Sequence, residues 1–437
     1  MDAGIIALLL FGSLLVVMAK GIPVAFGMGI VSVIFGILFA GGSVSIDSFM
    51  LGSYSKAIEF TLSAIPLYIL MAAILQYSDI AEDMFECVYR WLGGVRGGLV
   101  AGTTAISSIF AAMVGIATVA TATLGMTARP AMLQRGYDNK LIMGSIIAGG
   151  ALGILIPPSV LMIIYASESR VSAGAMFMGG ILPGILAALI FVSYALIRCW
   201  INPSLGPAVP EEERYTFKEK VSALKSIILP LLVVAGVLAS IYTGIATPSE
   251  AAAFGVVGSL LCAAAKRKLT ITNIKSILTM TVNLSVMVLW IVMSAAAYSR
   301  IVTVTGVGSW FAELITGFDT TPWVILLLMQ VIFFFLGMFI DPTAIVLITG
   351  PLFLPVVMAL GYDPVWYGVL FVINMCMAYM TPPFGFNLFV MRGIAKDTNI
   401  NEIYKSVWPF VGLYALVLLI VALFPQLVLW LPGIMGS

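Results

Sequence analysis

Long stretches without a charged side chain most constrain what this chain can become. Ten of them are read as crossings: Ile5–Ala19, Ile22–Ala40, Thr61–Tyr77, Leu141–Ser167, Ala175–Ile197, Ile227–Tyr242, Ala251–Ala264, Ser276–Ser299, Pro364–Met391 and Val407–Leu429. A helix spans the hydrocarbon core with about 20 apolar residues. A soluble domain is about a quarter charged, whereas only 9% of these 437 residues are. The expected fold class is therefore an all-α polytopic membrane protein.

The chain also repeats itself. Gly136-Tyr137-Asp138 recurs 225 positions later as Gly361-Tyr362-Asp363, and Pro157-Pro158 recurs as Pro382-Pro383 at the same distance. The same offset joins Pro130 to Pro355, Gly125 to Gly350, Thr118 to Thr343 and Pro23 to Pro248. Matches at one offset, mostly in helix-breaking residues, predict two homologous halves. Residues 1–201 form the first and residues 226–437 the second. Between them, residues 202–225 carry Pro203, Pro207, Pro210 and the run Glu211-Glu212-Glu213-Arg214. This stretch is read as a cytoplasmic linker, with a short surface helix from Tyr215 onward.

Each half holds five crossings, and an odd number inserts the second half upside down. That is the inverted repeat of secondary transporters. Two further uncharged segments do not fit as crossings. Residues 97–128 are flanked by Arg90 and Arg96 on one side and Arg129, Arg135 and Lys140 on the other. Basic residues mark the cytoplasmic face, so both ends lie inside and the segment is a re-entrant hairpin. Its counterpart, residues 322–353, is flanked by Glu313, Asp319 and Asp363 and should enter from outside. Lys266-Arg267-Lys268 and Arg392/Lys396/Lys405 also fall inside. The N-terminus lacks the basic start of a cleavable signal, and both termini are expected outside.

The breaks point to a site. Paired prolines remove two backbone donors and free the carbonyls of the preceding turn. Non-helical backbone at membrane depth persists where it is buried or lines a cavity. Freed carbonyls suit a hard cation such as Na⁺, and half-helix N-termini suit an anion. A simple kink is the plainer reading of one proline, but not of a matched pair in two halves. The hairpin tips, Gly115 to Thr123 and Gly337 to Thr343, supply the other wall. Asp341 is the one charge between Asp319 and Asp363, and an ionisable residue so placed is a functional candidate by default. It serves as cation ligand, as N-cap of the helix after it, or as both. The candidate Na⁺ ligands are Thr118, Gly153, Pro157, Asp341, Thr343, Thr381 and Pro382. The candidate substrate contacts are Thr121, Ser159, Asn387 and Arg300. Arg300 suits bidentate carboxylate capture, or else snorkels at the interface.

Several classes fall away. Net charge is +1 with no basic stripe, so nucleic acid is not an expected partner. There is no histidine, hence no imidazole relay, base or metal ligand. No lysine follows a glycine, so no GxxxxGK[ST] phosphate loop exists. Cys87, Cys199, Cys262 and Cys376 form no CxxC pair and read as apolar filler. An enzyme has no constellation to work with, and a channel has no charged ring or repeated filter.

The chain resembles the large membrane subunit, DctM-type, of tripartite ATP-independent periplasmic (TRAP) transporters. The matching stretches are Arg135-Gly136-Tyr137-Asp138, Gly149 to Ser159, Gly179-Gly180-Ile181-Leu182-Pro183-Gly184, Gly244 to Ala252, Gly337 to Thr343 and Met380 to Val390. The resemblance implies sodium-driven import of an organic acid across the bacterial inner membrane. It implies two partners, a small four-helix membrane subunit and a periplasmic substrate-binding protein. It also implies an elevator motion of hairpins and broken helices against a scaffold. Family tips are often Ser-Gly-Ser-rich; Gly115 to Thr123 has no serine, so backbone carbonyls are expected as ligands there. The alternative is a stand-alone divalent-anion/sodium symporter.

Overall fold

The computed structural model describes residues 2–39, 42–317, 319–383 and 385–435. Ala40, the end of the second expected crossing, and Phe384 of the second Pro-Pro motif lie outside them. Among the described residues, the regular structure is helical throughout.

The first half contains α1 (Ala3–Ala19), α2 (Val24–Phe39), α3 (Ser43–Ala57), α4 (Ala64–Gln76), α5 (Ile80–Leu92), α6 (Gly98–Val114), α7 (Ala117–Leu133), α8 (Asn139–Ala151), α9 (Val160–Ser169) and α10 (Ala173–Ile201). The second contains α11 (Phe217–Tyr242), α12 (Pro248–Ala265), α13 (Ile271–Val304), α14 (Val307–Thr316), α15 (Pro322–Gly337), α16 (Pro342–Ala359), α17 (Pro364–Ala378), α18 (Phe386–Ile394), α19 (Ile400–Leu423) and α20 (Gln426–Met435). Shifted by 225 positions, the starts of α5 to α10 fall within about two residues of those of α14 to α19.

Six helices are long and apolar enough to cross a membrane singly: α10, α11, α12, α13, α16 and α19. A seventh crossing is available if Met50–Ala57 and Phe60–Gln76, bent by 55°, count as one. The uncharged runs at Leu141–Ser167 and Pro364–Met391 are each split into two short helices, α8/α9 and α17/α18. Each expected hairpin is a helix pair with a tight tip, α6/α7 and α15/α16. The second arms continue to Leu133 and Ala359, past the expected ends at residues 128 and 353. The helix expected from Tyr215 is the start of α11, which runs unbroken into the apolar stretch.

Helix starts follow from local chemistry. Asp138 and Asp363, repeat mates, both cap: the Asp138 carboxylate accepts from Leu141 N–H at 2.8 Å, and that of Asp363 from Val365 N–H at 2.7 Å. Thr216/Glu219 and Thr247/Glu250 form capping boxes at α11 and α12.

The helices pack as two adjoining groups, or bodies, around one continuous core. In one, α6, α7, α8, α10 and α19 pack together, joined by α15 on α17 and α18 on α7. In the other, α13 runs beside α2, α3 and α4, while α12 packs on α4 and α11. The bodies meet where α13 and α14 lie on α16, and where α4 and α5 lie on α6. Two ion pairs tie α5 to the end of α12, Asp83 with Lys266 and Asp79 with Lys268. Asp79, at the start of α5, is thus an ion-paired helix end.

Candidate functional site

The first break is built by Ser159. After α8 the chain makes a 3₁₀ turn over Leu152–Ile154 and restarts as α9. The Ser159 hydroxyl donates to the Ile154 carbonyl at 2.7 Å and accepts from Met162 N–H at 3.4 Å, capping α9. Tip one seats directly in this break. Gly115 has φ +67°, and a Cβ there would lie 2.5 Å from the Pro158 carbonyl oxygen. A Cβ on Gly153 would lie 2.9 Å from the Ala111 carbonyl oxygen. Only glycine permits this approach of backbone to backbone.

The second break follows α17. The Thr381 hydroxyl donates back to Met377 C=O at 2.7 Å, and Asn387 N–H bonds Tyr379 C=O at 3.2 Å, closing the turn into α18. Tip two meets it through Asp341. One carboxylate oxygen accepts from Thr343 N–H at 2.9 Å, and the other faces the Tyr379 hydroxyl at 3.5 Å. Both Pro–Pro peptide bonds, at residues 157–158 and 382–383, are cis.

Tips and breaks close on one cavity of about 120 Å³. Its polar side is Gly115 to Thr118 of tip one, Asp341 to Thr343 of tip two, and Tyr379. Its apolar side comes from the other body, through Ile69 of α4 and Leu284, Met287, Val288 and Ile291 of α13. Ile154, Val160 and Leu161 of the first break complete it.

Of the sequence-derived candidates, Thr118, Asp341 and Thr343 line the cavity. Gly153, Pro157, Ser159, Thr381 and Pro382 lie in the breaks behind it, with the Ser159 and Thr381 hydroxyls turned to backbone carbonyls. Thr121 and Asn387 are fully buried and without a hydrogen-bond partner for the Thr121 hydroxyl or either Asn387 amide atom. Arg300 is not brought to the cavity. It is exposed and nine residues beyond Ile291 on α13, roughly 13 Å along a helix at 1.5 Å per residue.

Asp341 is the one carboxylate on the cavity, and among the described residues no group of three or more Cys, Asp or Glu could hold a metal. The oxygens available to a cation are therefore mostly hydroxyls and backbone carbonyls. That donor set suits a hard, singly charged ion rather than a tightly held transition metal.

Two positions that the sequence reading does not single out stand at or near the site. Tyr379 immediately precedes the Met380-Thr381-Pro382 stretch, and that adjacency was the available signal. Arg129 reads in sequence as a flanking charge, yet it is buried, 5% exposed. Its guanidinium donates to Asn139 Oδ1 at 3.1 Å, to both Asp397 oxygens at 2.9 Å and to Thr398 Oγ1 at 2.9 Å. This fork ties α7 to the α8 start and to the turn after α18. The hydrogen bond from Arg129 holds the Asp397 carboxyl below the usual carboxylate range.

A multi-helix protein with paired broken helices around one small cavity, polar on one side and apolar on the other, belongs to the class of secondary membrane transporters. The comparisons narrow the class. The family model of the tripartite ATP-independent periplasmic transporter, DctM component, matches residues 11–427, and the chain belongs to that family. It is a multi-pass membrane transport protein, not an enzyme. It is 31% identical to the C4-dicarboxylate TRAP transporter large permease protein DctM of Rhodobacter capsulatus, over 98% of this chain and 99% of the relative. It is 31% identical to the sialic acid TRAP transporter large permease protein SiaM of Vibrio cholerae, over 94% of this chain and 95% of the relative. The ectoine TRAP transporter large permease protein TeaC of Halomonas elongata is 30% identical over 94% and 95%. Among solved structures, the YdaH transporter of Alcanivorax borkumensis shares the fold with a TM-score of 0.65 at 15% identity, covering 91% of this chain and 90% of that one.

Proposed function

We propose that this chain is the sodium-coupled permease of an organic acid importer in a bacterial inner membrane. It takes substrate from a periplasmic binding protein and works beside a small four-helix membrane subunit. The observation that carries the reading is the single cavity on which both tips and both breaks converge, with Asp341 on its wall. Asp341 and freed carbonyls favour Na⁺ beside the anion, so inward movement of sodium drives inward movement of acid. Family membership supports the two partners, and relatives named for C4-dicarboxylate, ectoine and sialic acid support a small organic acid as cargo.

The two halves enter the membrane with opposite orientation, both termini outside, and residues 202–225 lie in the cytoplasm. The tip-bearing body of α6 to α10 and α15 to α19 slides as an elevator against the frame of α13 and its neighbours. The apolar wall on α13 fits that motion, because a side-chain surface without hydrogen bonds is easily slid past. The test is uptake by the assembled transporter in proteoliposomes. Replacing external Na⁺ by K⁺ or choline abolishes it; full uptake on a proton gradient alone would overturn the reading.

A further inference from the structure

The cavity also speaks to the kind of acid carried, an inference that rests on reading it as the transport site. Among the described residues, no lysine or arginine lines it; its ionisable groups are the Asp341 carboxyl and the Tyr379 phenol. The candidate for a fixed positive charge that the sequence offers, Arg300, is exposed farther along α13. The two sides of the cavity differ in chemistry. At tip one, α7 starts without a side-chain cap, so its first N–H groups and the Thr118 hydroxyl are open to an anion. Opposite stand Leu284, Met287, Val288 and Ile291, which offer no hydrogen bond.

A dicarboxylate placed here would press its second charge against that wall. With sodium set against Asp341, the second carboxylate would still face no basic side chain, and an uncompensated buried charge is costly. A monocarboxylate places its one charge at tip one and its tail on α13. The volume, about 120 Å³, is well below the roughly 300–1,000 Å³ usual for drug-sized ligands, which favours a short tail over a sugar acid.

The geometry points to a small monocarboxylate with a compact apolar tail as the substrate class. Its carboxylate sits at the N-terminus of α7, its tail lies on Leu284 and Val288, and sodium offsets Asp341.

The test uses the full chain with its small membrane subunit in lipid nanodiscs. Binding of 3-methyl-2-oxobutanoate, pentanoate, succinate and N-acetylneuraminate is measured by thermal stabilisation in NaCl and in KCl. In NaCl, 3-methyl-2-oxobutanoate binds at least tenfold tighter than succinate or N-acetylneuraminate, and in KCl none stabilises. Met287→Lys supplies the missing cation on the cavity wall; Met287 is 51% exposed, so the longer side chain has room. The variant shifts the ratio at least tenfold toward succinate. Tighter sodium-dependent binding of succinate or N-acetylneuraminate by the unaltered protein overturns the substrate class and leaves the sodium-coupled reading standing. An unchanged ratio in Met287→Lys overturns the role of the α13 wall. No sodium-dependent binding by any of the four acids overturns both the class and the reading beneath it.

Discussion

The two hairpin tips occupy matching places in the repeat and face the same cavity, yet they solve opposite electrostatic problems. Tip two starts its second arm with Asp341, whose carboxylate caps α16 through Thr343 N–H. Tip one starts α7 with Ile116, which offers no cap. The first therefore presents a helix N-terminus with free donors, partially positive. The second presents a carboxylate beside its own capped terminus. On the proposed reading, tip one suits an anion and tip two a cation, which turns Thr118, a candidate Na⁺ ligand by sequence, toward the substrate instead. The breaks behind the tips remain alike: each returns a hydroxyl, Ser159 or Thr381, to a carbonyl of the turn before it.

The largest effect should come from erasing the charge at tip two. Asp341→Asn keeps an oxygen for the cap and removes the charge, and uptake is expected to fall at least a hundredfold with normal membrane insertion. Asp341→Ala also loses the cap, a further cost of about 1 kcal/mol, read as a lower unfolding temperature. Full uptake by the asparagine variant would reduce Asp341 to a capping residue and collapse the contrast between the tips.

Next comes the seating of tip one. Gly115→Ala places a Cβ 2.5 Å from the Pro158 carbonyl at φ +67°. The backbone conformation alone costs roughly 1–2 kcal/mol, and the displaced tip should lower uptake at least tenfold. Unaltered uptake and melting would show that tip one does not need its close contact with the break.

A smaller loss is expected at Arg129, which holds tip one's arm to the second broken helix. Hydrogen bonds to charged groups contribute roughly 1.5–3 kcal/mol. Arg129→Ala should lower the melting temperature by several degrees and uptake several-fold. Lysine recovers only part, because it lacks the fork. Asp397 has a lowered folded-state pKa, so the stabilisation is complete above the ordinary Asp value of about 3.9. It is lost as pH falls through the lowered folded value. Melting scans across that range check the sign. The smallest effect belongs to Arg300: exposed and away from the cavity, Arg300→Ala should leave the substrate concentration for half-maximal uptake within twofold. A tenfold rise would return it to the substrate path.

Much of the fold was legible because membrane helices advertise themselves. Uncharged runs, the Asp138 and Asp363 caps, and the Pro157-Pro158 and Pro382-Pro383 breaks are local features, and local features survive in sequence. Helices α3, α5 and α14 were not read, since Asp47, Lys56, Glu82, Asp83, Glu86 and Glu313 interrupt the apolar pattern. Within the candidate site, Asp341, Thr118 and Thr343 were legible from rarity and repeat position. The α13 wall was not, because Leu284 and Val288 look like any residues of a membrane helix until the fold turns them toward the tips. Arg129 was misjudged for a related reason: a charge at the end of a run shows its sign, while its partners lie roughly 10 and 270 positions away. Arg300 shows the converse, a suggestive charge that the helix carries past the site.

The most direct measurement follows a cation at tip two through its effect on tip one. All four native cysteines are buried, so a cysteine at Ile116, on the cavity wall, can be followed with a maleimide. Sodium with substrate should slow labelling of Ile116→Cys at least fivefold relative to potassium, and adding Asp341→Asn should erase the protection. Equal labelling rates in sodium and potassium would contradict the assignment of the cation to this cavity.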